Sequence, residues 1–431
     1  MRKTASPQLT RLAAIIREVA SHSLGRSALF TIPAAFAGPG GEQVMAGNVG
    51  VARPDALHTQ VSQSSQNAVV NWQSFNVGGQ EYVQFIQPGT TSAILNRVVG
   101  GGESDILGHL DANGRVFLVN PQGVYFAPGA KVDTAGFAAS ALDITDRDFM
   151  AGRYVFGQHG AHGAVTNQGE IKADQFVVLM GEQVSNEGLI QAQLGTVVLA
   201  AGSATTLQVD DTGLVNFAVD EKAVSAAAGV KNVGQIIADG GRVLMTAKVA
   251  DDLVKTAVNN QGLVRAASIE EHGGEIFLRA SGGDIVNGGE LNVAGTAGHS
   301  GGRVVVKGDK NLDVEAGGAI IAHGDGPAAG GSIRLIADGK LELREGSSVD
   351  ARGGAQAGHG GEIELSAKRG FKTDGNVEVG RGGLVLIDPS RLEILNDSTS
   401  PRSTVGSSSL AIVGKGFIEQ LLNSSGAGRI I

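Results

Sequence analysis

The 431-residue chain contains no cysteine, which excludes disulfides, cysteine-ligated zinc or iron–sulfur centres and thiol nucleophiles. Such an absence suits a chain that crosses a membrane unfolded, where a disulfide would block threading. Aromatic residues make up only 4% of the chain, and charged residues 18%, against a usual share of about 25%. The 34 lysines and arginines are scattered, the net charge is −9, and no basic patch suggests a nucleic-acid partner. No apolar run approaches the ~20 residues of a membrane-spanning helix. Glycine is abundant instead: 66 residues, about twice the usual share of roughly 7%. They lack the strict three-residue period of collagen. With 42% hydrophobic residues the chain is too apolar to remain disordered.

The first residues carry Arg2, Lys3, Arg11, Arg17 and Arg26, then an apolar stretch over 28–36 broken by Pro33. It ends in Ala35-Phe36-Ala37, an A-x-A cleavage pattern, so residues 1–37 are expected to be a signal peptide cut after Ala37. The alternative is an amphipathic N-terminal helix built on Leu9, Leu12, Ile15, Ile16 and Val19.

From about residue 160 the chain repeats. Gly-Gly-x-[Ile/Val]-x-[Leu/Val/Met] units stand at Gly240-Gly241, Gly273-Gly274, Gly301-Gly302, Gly330-Gly331, Gly360-Gly361 and Gly382-Gly383; their second glycines are 33, 28, 29, 30 and 22 residues apart. Asn-x-Gly units begin at Asn167, Asn186, Asn232, Asn260 and Asn287, the last three 28 and 27 apart. The segments that follow, such as 303–306, 332–336 and 362–366, alternate apolar and polar residues, the period of a half-buried strand. Glycine and asparagine are expected to supply positive-φ corners between strands.

Short strands, Gly/Asn corners and a period of 22–33 residues describe a solenoid with about three strands per turn. The expected fold is all-β, a right-handed parallel β-helix with an N-terminal β cap, because a solenoid must cover its end strands. Roughly 12 turns between residues 48 and 390, spaced ~4.8 Å apart, predict a rod on the order of 60 Å. A propeller blade would be longer, the calcium-binding G-G-x-G-x-D pattern is not repeated, and no leucine-rich ladder is present. Residues 396–409 read as a polar linker, 417–422 have helix character, and 429–431 resemble the start of another strand. The chain therefore reads as the N-terminal piece of something longer.

The most specific text lies in 48–156, outside the simple repeat. It includes Asn96-Arg97-Val98, Gly108-His109-Leu110, Asn120-Pro121-Gln122-Gly123-Val124 and Phe126-Ala127-Pro128-Gly129-Ala130. In the third, Pro121 fits the second position of a β-turn, Gly123 a left-handed position, and the Asn120 side chain an Asx-turn. These four segments, in this order, resemble the secretion domain of two-partner secretion exoproteins, the filamentous-haemagglutinin and haemolysin group. Gln122 replaces the family's asparagine, and the family's second tetrapeptide, Asn-Pro-Asn-Leu, is not found. The piece 383–389 also looks like a segment that closes this region in long adhesins. The resemblance implies a secreted or cell-surface protein of a Gram-negative bacterium, exported through the periplasm. It implies recognition by an outer-membrane barrel transporter with periplasmic receptor domains, and an adhesin-like character with a host or neighbouring-cell surface as target.

The organisation expected is then a signal peptide (1–37), a secretion domain with its cap (38–160), a β-helix repeat region (161–390), and a linker with the start of a continuation (391–431). Asn96, Arg97, Val98, Asn120, Pro121, Gln122 and Gly123 are the candidate transporter-recognition or folding residues. Each motif has a functional and a bland reading. Asn120 either contacts the partner or only shapes a corner; Arg97 either contacts the partner, or forms a capping ion pair or lies on a solvated face. Trp72, Phe75, Phe85 and Ile86 are expected to pack under the cap rather than to bind a sugar.

No cofactor, metal or catalytic residue is expected. The rival function is a secreted β-helix carbohydrate enzyme, a polysaccharide lyase or hydrolase, which needs carboxylates gathered on one face of successive turns. The pairs Asp210-Asp211, Asp251-Asp252 and Glu270-Glu271 do not share a register and read as loop charges. His272, His299, His323 and His359 lie near glycine corners, and His159 with His162 sits in a glycine-rich loop. No phosphate-binding loop, G-x-S-x-G or zincin motif occurs.

Overall fold

The computed structural model describes residues 38–395, except 159, 161, 252, 270 and 271, together with 403–405, 411–423 and 429–431. The expected signal segment with Ala35 and Ala37, and most of the expected linker, lie outside the described residues.

The architecture is a right-handed parallel β-helix. Each turn runs through three faces, here called B, A and C. One turn consists of Leu263–Arg265 on face B, Glu275–Ser281 on face A and Asp284–Asn287 on face C. Eleven successive parallel pairings stack twelve strands on face A, from Asn67–Trp72 to Leu384–Pro389. Face C holds ten. At ~4.8 Å per strand the face A stack is about 55 Å tall, close to the expected rod. Three long strands, His109–Val119, Lys131–Ser140 and Glu170–Gly181, bend across faces B and A without a break.

The interior follows from the period of two along each strand. On face A one inward row runs Ile94, Val116, Phe137, Val177, Val197, Val243, Ile276, Val304, Ile333, Ile363 and Val385, each at most 1% exposed. Each such side chain contributes roughly 1.5–3 kcal/mol on leaving water. β-Branched residues dominate because they fill a narrow interior without a rotamer search.

The open N-terminal edge is closed by two antiparallel strands. Gln43–Ala46 pairs with Asn67–Trp72, and Val49–Ala52 with His58–Gln63. Trp72, Phe75 and Phe85 are buried beneath them, as expected. Ile86 is not: it follows inward-facing Phe85 on the strand Tyr82–Ile86, so alternation turns it to solvent, 44% exposed.

A second layer covers the outside of face A. It consists of the helix Asp146–Met150 and an antiparallel sheet of Tyr154–Gly157, Ala204–Asp210 and Gly213–Glu221. Phe149, Tyr154, Phe156, Leu207 and Phe217 pack onto outward residues of face A such as Leu95, Phe117, Phe176 and Val198, forming a second core. At the far end the helix Lys415–Asn423 places Phe417 and Leu421, one turn apart, in the main core. Arg429–Ile430 then pairs in parallel with Leu384–Val385, the strand start expected from 429–431. Ser403–Val405, inside the expected linker, is a strand antiparallel to Ala411–Gly414.

Candidate functional site

The strand Ala93–Val98 puts Asn96 and Val98 inside the helix and Arg97 outside it. The Asn96 amide oxygen accepts the indole N–H of Trp72 at 3.0 Å, so the first rungs hold one fully buried polar pair among apolar rows. Arg97 lies under the outer layer, its side chain only 12% exposed. Its guanidinium donates to Asp143 at 2.8 Å, to Asp146, to Asn71 at 3.2 Å and to the Ile144 carbonyl. Burial pulls this guanidinium down, but Asp143 and Asp146 more than offset it and hold it above its ordinary value. The group therefore stays charged and ties residues 143–146 to face A.

The helix that follows begins at Thr145, whose hydroxyl caps the Asp148 amide at 3.1 Å. Thr145-x-x-Asp148 is an N-terminal helix signature, and it marks the Arg97 partners that the motif alone does not reveal. Arg115 does the same on the next rung. It is 4% exposed, donates to Gln175 at 2.7 Å and to the Asp210 carbonyl, and lies over Phe176 at 5.9 Å. Burial lowers its pKa.

Asn120 to Gly123 form the corner between faces A and C. The Gly123 amide donates to the Asn120 carbonyl at 2.9 Å, which closes a β-turn with Pro121 at its second position. The Asn120 side-chain oxygen accepts the Gln122 amide at 2.9 Å, the expected Asx-turn. Its side-chain amide donates to the Gly102 carbonyl and the Ser104 hydroxyl, both at 3.0 Å. Asn120 is 1% exposed and thus holds its own turn and the preceding corner together. Gly123 has φ +120°. Within this tetrapeptide, Gln122 alone is exposed. The next corner, Phe126 to Ala130, is a turn closed by the Ala130 amide on the Ala127 carbonyl at 3.0 Å, with Pro128 and Gly129 at its centre. At Gly108 a Cβ would lie 2.2 Å from the Gly78 carbonyl, so only glycine lets the rungs stack there.

The repeat asparagines differ from expectation. They do not take positive φ; they end the face C strands in extended backbone and point inwards. Asn167, Asn186, Asn232, Asn260 and Asn287 form a ladder in which each side-chain amide donates to the next side-chain oxygen at 2.8 Å. All five are at most 1% exposed. Most Gly-Gly corners also owe their glycines to close stacking rather than to positive φ. A Cβ on Gly331 would lie 2.0 Å from the Gly302 carbonyl, and one on Gly361 2.0 Å from that of Gly331.

Among the described residues no three histidine or acidic side chains gather as a metal site. Asp210 accepts from Thr212, and Asp251 pairs with Lys222 at 2.9 Å; Asp252, Glu270, Glu271 and His159 lie outside the described residues. His162 instead faces the buried Glu182 carboxylate at 2.6 Å.

The sequence matches the TPS secretion domain family over residues 41–293, more than half of the chain. The chain belongs to this two-partner secretion family. The matched span takes in the cap, all four motif segments, the outer layer and the whole asparagine ladder. Two proteins named heme/hemopexin-binding protein, from Haemophilus influenzae, are 32% and 31% identical over 251 and 272 residues. The alignments cover 56% and 58% of this chain but only 27% and 29% of those proteins, so the chain spans under a third of their length. The crystal structure of the HMW1 secretion domain from Haemophilus influenzae superposes with a TM-score of 0.72 at 27% identity. It covers 88% of this chain and 99% of that one.

Proposed function

We propose that this chain is the secretion part of a non-catalytic, adhesin-like exoprotein. In this reading residues 1–37 direct it to the periplasm and are removed after Ala37. Residues 38–160 are then recognised by a dedicated outer-membrane barrel transporter with periplasmic receptor domains. Outside the cell the same residues form the first rungs on which the β-helix grows. The protein is released or held at the surface of a Gram-negative cell, where a host or neighbouring-cell surface is its target. The relatives' name, heme/hemopexin-binding protein, adds heme or hemopexin as a target class.

One observation carries the folding half of the proposal. Asn96, Arg97, Val98 and Asn120 are enclosed by the protein's own rungs and outer layer. In this reading the transporter meets these residues only before the chain folds, and afterwards they act as clamps and corners. Each finished rung leaves an edge of unpaired backbone groups that templates the next, so growth outside biases the chain outwards without nucleotide hydrolysis.

The test is partner-dependent release. Residues 1–431 are expressed with and without a cognate transporter, and the medium is assayed for cleaved, strand-rich protein. Release only with the transporter is expected, reduced in Asn120→Ala and Arg97→Ala. Retention in the periplasm under both conditions overturns the proposal. Refolding of the purified variants separates the two roles of the motif: slow or incomplete refolding marks a folding defect, wild-type refolding a lost contact.

A further inference from the structure

The outer sheet stops before the apolar surface it covers. On face A the central outward row runs Val178, Val198, Leu244, Phe277 and Val305, then turns polar at Arg334 and Glu364. The strand Gly213–Glu221 covers this row down to Leu244, 9% exposed. Among the described residues that strand pairs only with Ala204–Asp210, so its other edge is unpaired. A cavity of about 330 Å³ opens at this edge, walled by Leu214 to Phe217 and floored by Leu244 and Phe277.

The floor has charged flanks. Two residues before the apolar row stand Arg242, Glu275 and Arg303; two residues after it stand Arg279 and Lys307. Arg242, Arg279 and Arg303 lie around the Phe277 ring at 5.9, 5.2 and 5.8 Å. Glu275 accepts from Arg242 at 3.0 Å and lies 4.0 Å from Arg303. Arg279 has no ion pair among the described residues. The site is thus an unpaired strand edge above an apolar stripe, with an excess of positive charge on both sides.

We propose that this edge binds an extended, acidic segment of a partner protein as a fourth strand of the outer sheet. Strands within a sheet and rungs within the helix share a spacing of ~4.8 Å, so one added strand lies over the Phe277 rung. Sheets packed face to face keep their strands within about 30° of each other. The added strand then presents every second side chain to the floor. The central one meets Phe277, and those two residues to either side meet Arg242 with Arg303 and Arg279 with Lys307. The chemistry selects Glu-x-Val-x-Glu, with main-chain hydrogen bonds to the free edge supplying affinity. The edge strand does little to prevent such pairing: Val215, in its first half, is apolar and 51% exposed.

The probe is a labelled peptide, acetyl-Thr-Glu-Thr-Val-Thr-Glu-Thr-amide, titrated against the purified chain by fluorescence anisotropy. One control replaces both glutamates by lysine. Another exchanges the pattern to Thr-Val-Thr-Glu-Thr-Val-Thr. Saturable binding of the first peptide alone is expected, with slowed amide exchange across 214–219. Arg279→Glu, an exposed substitution that leaves the fold intact, is expected to weaken binding about tenfold or more. Phe277→Ala is expected to weaken it about fivefold, and salt at about 0.5 M to weaken it further. Equal binding of the lysine peptide, an unchanged Arg279→Glu variant, or no protection at 214–219 overturns the proposal. So does a glutarate titration that saturates the site while the peptide fails to bind, which would mark a small-anion pocket.

Discussion

Replacing Arg97 by alanine tests whether the most specific motif in the chain works by holding the outer layer on the helix. The substitution removes two carboxylate contacts, a carbonyl contact and an amide contact at once. Hydrogen bonds to a charged group are worth roughly 1.5–3 kcal/mol each when enclosed. Asp143 and Asp146 are 22% and 36% exposed, so water recovers part of that value once the arginine is gone. The desolvation already spent on the guanidinium offsets more. The net loss expected is about 3 kcal/mol, and about 0.5–1 kcal/mol for Asp146→Asn alone. The single tryptophan makes the assay local: Trp72 is buried and bonded to Asn96, one residue from Arg97. Urea unfolding followed by Trp72 fluorescence should shift strongly in Arg97→Ala. Far-ultraviolet circular dichroism, dominated by later rungs, should shift less, because rungs contact only their neighbours. Amide exchange should rise first over 143–157. A Trp72-detected loss below about 0.5 kcal/mol, or an equal shift of both probes, refutes the clamp.

Two further outcomes follow from buried polar groups. Asn232→Leu removes two ladder bonds and strands a donor and an acceptor, so it should cost about 3 kcal/mol in chemical unfolding; Asn287→Leu, at the ladder's end, should cost about 1 kcal/mol. Equal costs would contradict a continuous ladder. Burial, and the hydrogen bond it donates to Asp111, push the Tyr82 phenol up to about 12. Its neutral form is favoured by the fold, so that stabilisation is present below pH ~10 and is lost as pH rises towards 12. Thermal midpoints of Tyr82→Phe should therefore fall less steeply over this window; superimposable curves would refute it.

The helix was legible in the sequence because it is periodic. The spacing of the glycine pairs gives the turn length, and alternation within 303–306 or 332–336 gives the strands. The outer layer was harder to see because its partners lie far apart in sequence, Tyr154–Gly157 against Ala204–Asp210. A signal existed nonetheless: Phe176 to Met180 and Val197 to Ala201 are apolar without alternation, the mark of strands buried on both faces. The motif residues were found by their spelling, and their corner geometry at Asn120 by turn chemistry. The partners of Arg97, Asp143 and Asp146, could not be paired with it by spacing, since 46 and 49 residues separate them. Asparagine between strands spells a turn former, because a single sequence shows its neighbours along the chain and not the rungs above and below.

The asparagine ladder has a consequence for how such a scaffold changes over time. Successive members are 19, 46, 28 and 27 residues apart, yet each bond is 2.8 Å long. The 46-residue interval contains the whole hairpin Ala204–Glu221. Chain length between rungs is thus uncoupled from the stack, and closing a longer excursion costs only a slowly growing entropy. Surface loops can therefore be lengthened, exchanged or lost at the corners while the polar spine continues unbroken, so a single axis of support can carry diverse outer shapes.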